Sequence, residues 1–210
     1  MAEHRRETSM IEREAKFELE LDALVPRLDG VGPVTRQEGP VKAVLEATYY
    51  DTHDYRLLGS GITLRRRTGG GDAGWHLKLP VATGHREELA APLGDAGEPA
   101  PESLLDRVRD RLGDDPLLPV ARITTTRYSY ELLDAADTPL ATLVDDHVTA
   151  ETAGRHVSRD AWRELEVELA PATDESLLDT VSEALRAAGV QPSRWPSKLR
   201  RVLGAHLPLP

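Results

Sequence analysis

Charged side chains recur at every second position in several stretches of this sequence, and that spacing is what could do chemistry. In residues 11–20, IEREAKFELE, Glu12, Glu14 and Lys16 form one row, with Ile11, Ala15 and Phe17 opposite and a shift of phase expected after Lys16. Alternate residues of a strand lie about 6–7 Å apart on one face. At that distance two carboxylates can share a divalent ion with a cation beside it. The same alternation sets Thr63, Arg65 and Arg67 against Ile62, Leu64 and Arg66, and sets His76 and Lys78 against Trp75, Leu77 and Leu79. Arg86 falls in phase with Glu88, and Arg127 alternates with Tyr128 and Tyr130. Glu164, Glu166 and Glu168 oppose Leu165, Val167 and Leu169. A single face of this kind is what a one-sided antiparallel sheet shows to water. Acidic rows at both ends of the chain with bases between them fit a closed barrel, in which alternate residues face a lumen. The bases would meet a phosphate chain there, and the acids would hold metal ions that bridge to it.

Such faces need strands to carry them and helices to cover the strands' apolar side. Helical periodicity is clear in residues 174–190, where Leu177, Leu178, Val181, Leu185 and Ala188 make one stripe that stops at Gly189. Residues 101–113 follow the same plan between Pro101 and Gly113, and shorter helices are expected over 20–28 and 197–204. The glycine-rich 68–74 segment reads as a hairpin loop, while 92–102 and 134–139 read as turn-rich breaks. The 210 residues, 40% of them hydrophobic, suffice for one domain with short tails: a loose tail over 1–10, a domain over 11–205, and a tail or linker over 206–210.

Composition narrows the chemistry further. The chain has no cysteine, which excludes disulfides and a thiol nucleophile. Metal sites must use carboxylate and imidazole, and carboxylate-rich sites favour magnesium or manganese. A formal net charge of -10 argues against a nucleic-acid surface. The polar start MAEHRRETSM has no apolar core of a signal peptide, and no apolar run approaches the roughly 20 residues that span a bilayer. A cytoplasmic protein without a membrane partner is expected.

Nine pieces then occur in a telling order: Glu12-x-Glu14-x-Lys16, YYDT (49–52), LRRR (64–67), WHLKLP (75–80), Arg86-x-Glu88, Thr125-x-Arg127, VDD (144–146), ELEVE (164–168) and Ser197-Lys198. Over residues 11–205 the chain resembles the CYTH superfamily, the triphosphate tunnel metalloenzymes, which include inorganic triphosphatases, thiamine triphosphatases and class IV adenylate cyclases. The resemblance implies an α+β fold: an eight-stranded antiparallel barrel with an open tunnel and helices packed outside. It implies that Arg65, Arg67, Lys78, Arg86 and Arg127 grip the triphosphate and that Lys198 closes one end. It implies that Glu12, Glu14, Asp145, Glu164 and Glu166 hold magnesium or manganese. Lys16, a phosphate ligand by the same carry-over, resembles with Tyr49 a pair that helps to activate water.

Two departures bear on substrate. Thr125 stands where many relatives have a lysine, and Thr63 where thiamine triphosphatases have a tryptophan that can stack on the thiamine. With one Phe in the chain and no cluster to read a base, inorganic tripolyphosphate is the expected substrate. A cyclase, a thiamine triphosphatase and a non-catalytic polyphosphate binder are the alternatives. Several polar residues read as structural: Asp51 as a turn cap, His76 as exposed or hydrogen-bonded, Asp146 as solvated and Glu168 at the tunnel mouth. Trp75, Trp162 and Trp195 read as packing, and Arg122 falls on the face opposite Arg127.

Overall fold

The alternating stretches do form strands, and the strands close on themselves. The structure is a computed structural model that describes residues 8–95, 97–153 and 157–204. Eight strands make the barrel: β1 (Thr8–Leu19), β2 (Arg36–Asp51), β3 (Thr63–Thr68), β4 (Gly74–Ala82), β5 (His85–Ala91), β6 (Leu118–Leu133), β7 (Pro139–Thr152) and β8 (Arg159–Leu169). Their order is β5-β4-β3-β2-β6-β7-β8-β1, all antiparallel, and β1 returns to β5. Closure is staggered. β1 pairs Thr8–Arg13 with β5 and Glu14–Leu19 with β8. A two-residue strand, β9 (Gln191–Pro192), then pairs with Phe17 and Glu18.

Some local expectations change. Thr8–Met10 belong to β1 and face Ala90–Glu88, so any tail before the barrel is shorter than residues 1–10. Residues 1–7 and the expected tail at 206–210 lie outside the described residues. β1 pairs with β5 and β8 without a break in register, so the expected change of phase after Lys16 does not occur.

The helices are α1 (Arg56–Gly59), α2 (Glu102–Asp106), α3 (Arg109–Leu112), α4 (Ser176–Ala187) and α5 (Lys198–Leu203). The stripe Leu177, Val181 and Leu185 of α4 packs on Phe17, Leu143, Leu165 and Val167, the outer faces of β1, β7 and β8. α1, α2 and α3 cover Leu64, Trp75 and Leu77 on β3 and β4. The single helix expected over 101–113 is two, because Val108 leaves the helical region at φ -129°. No helix forms over 20–28. The Arg163 guanidinium takes the carbonyls of Glu20, Leu21 and Ala23, acceptors that a helix would have used.

α5 is different: it enters the end of the barrel. Leu199, Val202 and Leu203 are buried against Ala47, Tyr49, Ile123, Val148, Ala150 and Trp162. Those positions are in phase with the charged residues farther along the same strands. Ser197 starts the helix by accepting the Arg200 N–H, and the chain after Trp195 is clamped where a Cβ on Gly204 would sit 2.8 Å from the indole.

Candidate active site

Two turns aim the basic wall. The completely buried carboxylate of Asp51 accepts the N–H groups of Thr52, Leu57 and Leu58 at 2.8–2.9 Å, the capping role its sequence suggested, and so ties the end of β2 to α1. The β3–β4 loop turns through Gly69 at φ 79°, where a Cβ would strike the Val44 carbonyl. That loop brings Asp72 back over the lumen, where it pairs with Arg67. Its carbonyl meets His76 Nε2 at 2.9 Å.

The lumen cavity has a volume of about 150 Å3 and is lined by Glu12, Glu14, Lys16, Tyr49, Arg65, Arg67, Lys78, Arg86, Arg127, Glu166 and Lys198. These are eleven of the thirteen residues singled out from the sequence. Glu164 joins them from one layer deeper, 2.7 Å from Lys198 Nζ.

Asp145 does not join them. It faces outward, where Arg163 donates to both its oxygens at 2.8 and 3.0 Å. Its neighbour Asp146, expected to be solvated, is fully buried in the lumen and takes a bidentate bond from Arg127 at 2.8 and 2.6 Å. The lumen position thus belongs to Asp146 and not to Asp145, because β7 pairs Asp146 directly with Arg127 of β6 and Glu164 of β8. A register irregularity at Leu132–Leu133, beside the turn, decides which of the two aspartates meets Arg127. His76, also buried, contacts Glu88 at 2.5 Å through Nδ1. It and Glu88 complete the site from positions that alternation had already placed in phase with Lys78 and Arg86. Arg122 is exposed, as its phase required, and Thr125 is buried.

Charge within the lumen is segregated. On one side Asp146, Glu164 and Glu166 bring carboxylate oxygens within 4.8 Å of one another. Lys198 Nζ lies 2.8, 2.7 and 2.9 Å from these three. Burial works against the Lys198 ammonium, but the three carboxylates outweigh it and hold its pKa well above the ordinary lysine value. Burial likewise opposes the charge of Glu166, yet Lys16, Lys198 and Arg127 keep it ionised. Lys16 bridges Glu14 at 2.9 Å and Glu166 at 2.5 Å, and these acids raise its pKa despite its burial. A lysine so held is a fixed cation and does not accept a proton near neutrality.

On the other side stand Arg65 and Arg67. Arg65 touches no carboxylate among the described residues. Its recorded partner is the Tyr49 hydroxyl at 3.2 Å, and its buried Nε has none. Burial opposes ionisation of Tyr49, but Arg65 outweighs it and lowers the phenol's pKa. Arg67, also with an unpartnered Nε, is pushed down to about 10 by burial and by Arg65 beside it. Two buried guanidiniums with unfilled donors make a place for an anion. Between the walls, Lys78 donates to both Glu12 oxygens at 2.7 and 2.6 Å. Burial and the adjacent Glu88 nevertheless push Glu12 up to about 8, because two carboxylates so close do not both ionise readily.

The CYTH domain family matches residues 10–201. The chain belongs to the CYTH family. Two uncharacterized proteins of Mycobacterium tuberculosis, from different strains, are each 42% identical to it over 210 residues, covering 94% of this chain. The CYTH chain spans only 41% of their length. Among solved structures, a proposed adenylate cyclase from Bacillus halodurans superposes with a TM-score of 0.61 at 19% identity, covering 92% of this chain and 97% of that one. A proposed adenylyl cyclase from Hippeastrum, with a dominant triphosphatase activity, gives 0.51 at 20% identity over 95% and 98%. These likenesses establish the CYTH barrel. No helix among the described residues is long and apolar enough to cross a membrane.

The donor set suits the metal dependence of the family. Asp146, Glu164 and Glu166 offer hard oxygen atoms that converge on one point, and Lys198 already sets a cation there. Magnesium or manganese accepts such oxygens, and no softer ligand is present in the cluster.

Proposed function

We propose that this chain hydrolyses a phosphoanhydride of a triphosphate, inorganic tripolyphosphate first, in a metal-dependent reaction within the barrel. The carrying observation is the divided lumen: on one side two arginines with buried, unfilled Nε donors, Arg65 touching no carboxylate among the described residues and Arg67 only Asp72 of the β3–β4 loop, and on the other three converging carboxylates. A ligand that fits both is an anion that brings its own divalent cations. Arg65 and Arg67 would take the phosphate oxygens in planar, two-pronged bonds, with Lys78, Arg86 and Arg127 neutralising the rest. Asp146, Glu164 and Glu166 would hold magnesium or manganese, with Glu12 and Glu14 supporting it. A metal so held supplies charge stabilisation as the phosphate leaving group departs.

The remaining steps belong to the protein's own groups. Lys16, locked as a cation by Glu14 and Glu166, can orient a water by hydrogen bonding but not deprotonate it. Tyr49, whose pKa Arg65 lowers against the effect of burial, would be the group that relays the water's proton. Lys198 would move its charge from the three carboxylates to the substrate as metal enters. Thr63 lines the cavity and gives no ring for thiamine or a base to stack on, which favours the inorganic substrate over the alternatives.

The test is one assay under one set of conditions, with tripolyphosphate, ATP and thiamine triphosphate in saturating magnesium or manganese. Tripolyphosphate is expected to give the highest kcat/KM, with no activity in chelator. Arg65→Ala should raise KM by about 10- to 150-fold, the equivalent of roughly 1.5–3 kcal/mol for a charge-assisted bond. Cyclic AMP as the main product from ATP would overturn the reading.

A further inference from the structure

A second cavity, of about 800 Å3, opens off the charged lumen and shares Glu14, Lys16, Arg86 and Ser197 with it. It lies at the staggered closure of the barrel. β5 leaves β1 at Arg13 and β9 begins at Phe17. Between them Glu14 N–H donates to the Gly84 carbonyl and Ser193 N–H donates to the Lys16 carbonyl, and Arg86 Nη2 reaches across to the Pro196 carbonyl at 2.9 Å. The cavity is thus a side portal, with the β4–β5 turn on one rim and Ser193–Ser197 with Arg200 of α5 on the other.

Three observations decide what the portal would hold. The lumen, about 150 Å3, is small and opens into the larger cavity past Glu14, Lys16, Arg86 and Ser197, so a phosphate chain seated in it has room to continue outward. The portal carries Arg86, Arg194 and Arg200, while the one carboxylate among the described residues that line it, Glu14, is taken by Lys16. In a chain of net charge -10, such a basic opening focuses anions. Its two rings are both engaged: Arg194 lies over the Trp195 ring at 5.0 Å, with that ring's edge held against Gly204, and the His85 imidazole lies 2.9 Å from the Thr83 carbonyl and 3.1 Å from a Glu175 oxygen.

We propose that this portal binds the outer units of a linear inorganic polyphosphate, so that the tunnel accepts chains longer than three phosphates, with Arg194 and Arg200 gripping the units beyond the lumen. The inference rests on the phosphoanhydride reading above. Each turnover adds one water across a P–O–P bond, so one P–O bond breaks and one forms, a proton is released, and orthophosphate leaves a chain one unit shorter.

The experiment compares tripolyphosphate with a longer linear polyphosphate, on the wild-type chain and on an Arg194→Ala/Arg200→Ala double variant. Turnover is measured in magnesium, and equilibrium binding in chelator at low salt. The portal has no unpaired carboxylate among its described lining residues, so its share of binding should survive chelation. The longer chain should show at least about tenfold higher kcat/KM and tighter binding in the wild type, an advantage that shrinks with added salt. The double variant should lose that advantage while tripolyphosphate changes by less than about twofold. Equal values for both lengths in the wild type, or equal losses on both in the variant, would overturn the portal's assignment. Length-dependent binding that needs the two arginines, without turnover of any polyphosphate, would overturn the hydrolase reading and leave the portal's assignment standing.

Discussion

The two halves of the barrel lumen are built on the same strands and differ in kind. On β6 the inward residues run from Ile123 through Thr125 to Arg127; on β7, from Val148 to Asp146; on β8, from Trp162 to Glu164. Within two residues on each of β7 and β8 the surface changes from apolar packing to buried charge. The apolar half is filled by α5, whose Leu199 and Leu203 are essentially inaccessible. The charged half keeps a cavity. The difference teaches that one helix has two tasks. Its leucines close the barrel end through burial, and its first residue, Lys198, reaches over the boundary to neutralise Asp146, Glu164 and Glu166. Buried carboxylates without such a partner would cost several kcal/mol each.

The comparison is most sharply broken at adjacent aspartates that face opposite ways. Asp145→Asn strips Arg163 of its carboxylate on the outside of the barrel, where both partners are over nine-tenths buried. A stability loss of about 3 kcal/mol is expected, read by thermal or denaturant unfolding, with turnover retained in the folded fraction. Asp146→Asn leaves Arg127 with Glu166, and Lys198 with Glu164 and Glu166, so its stability loss should be smaller. Its turnover and manganese affinity should fall much further. Reversed outcomes would mean that Asp145 is the lumen acid after all.

On the apolar side, Leu203→Ala should cost about 2–5 kcal/mol through the cavity it leaves. Because the plug also carries Lys198, manganese binding and KM should shift as well. Unchanged ligand binding at temperatures where the variant is folded would show that the two halves are independent.

The smallest expected effect concerns pH. The folded-state pKa of Glu12 is raised from 4.5 to about 8, so between those values the folded protein holds the proton more tightly than the unfolded chain does. Its contribution to stability therefore falls as pH rises through that window. In chelator at pH 8, Glu12→Gln should raise Tm by a few degrees, corresponding to on the order of 1 kcal/mol, and should flatten the pH dependence below it. A lower Tm at pH 8 would show that Lys78 stabilises the ionised carboxylate more than burial and Glu88 oppose it.

The sequence by itself determined which residues could share a lumen. Alternation is a local property of extended backbone, so Glu12, Glu14 and Lys16, Arg65 and Arg67, and Glu164 and Glu166 were legible as rows before any pairing was known. The stripe of α4 was legible for the same reason, and the order of the motifs pointed to the CYTH barrel. What only the tertiary structure decided depends on partners distant in the chain. Asp145 and Asp146 differ by one residue, and their faces were fixed by the register of β7 against β6 and β8, not by their own neighbours. The segment 20–28 lost its helix to a guanidinium some 140 residues away. For the short 197–204 helix only the resemblance, through Lys198, pointed to the tunnel's end; nothing in its own residues showed that Leu199, Val202 and Leu203 would fill the barrel rather than cover the outside. That choice was settled by the volume and apolar lining left by strands on which it does not border in sequence.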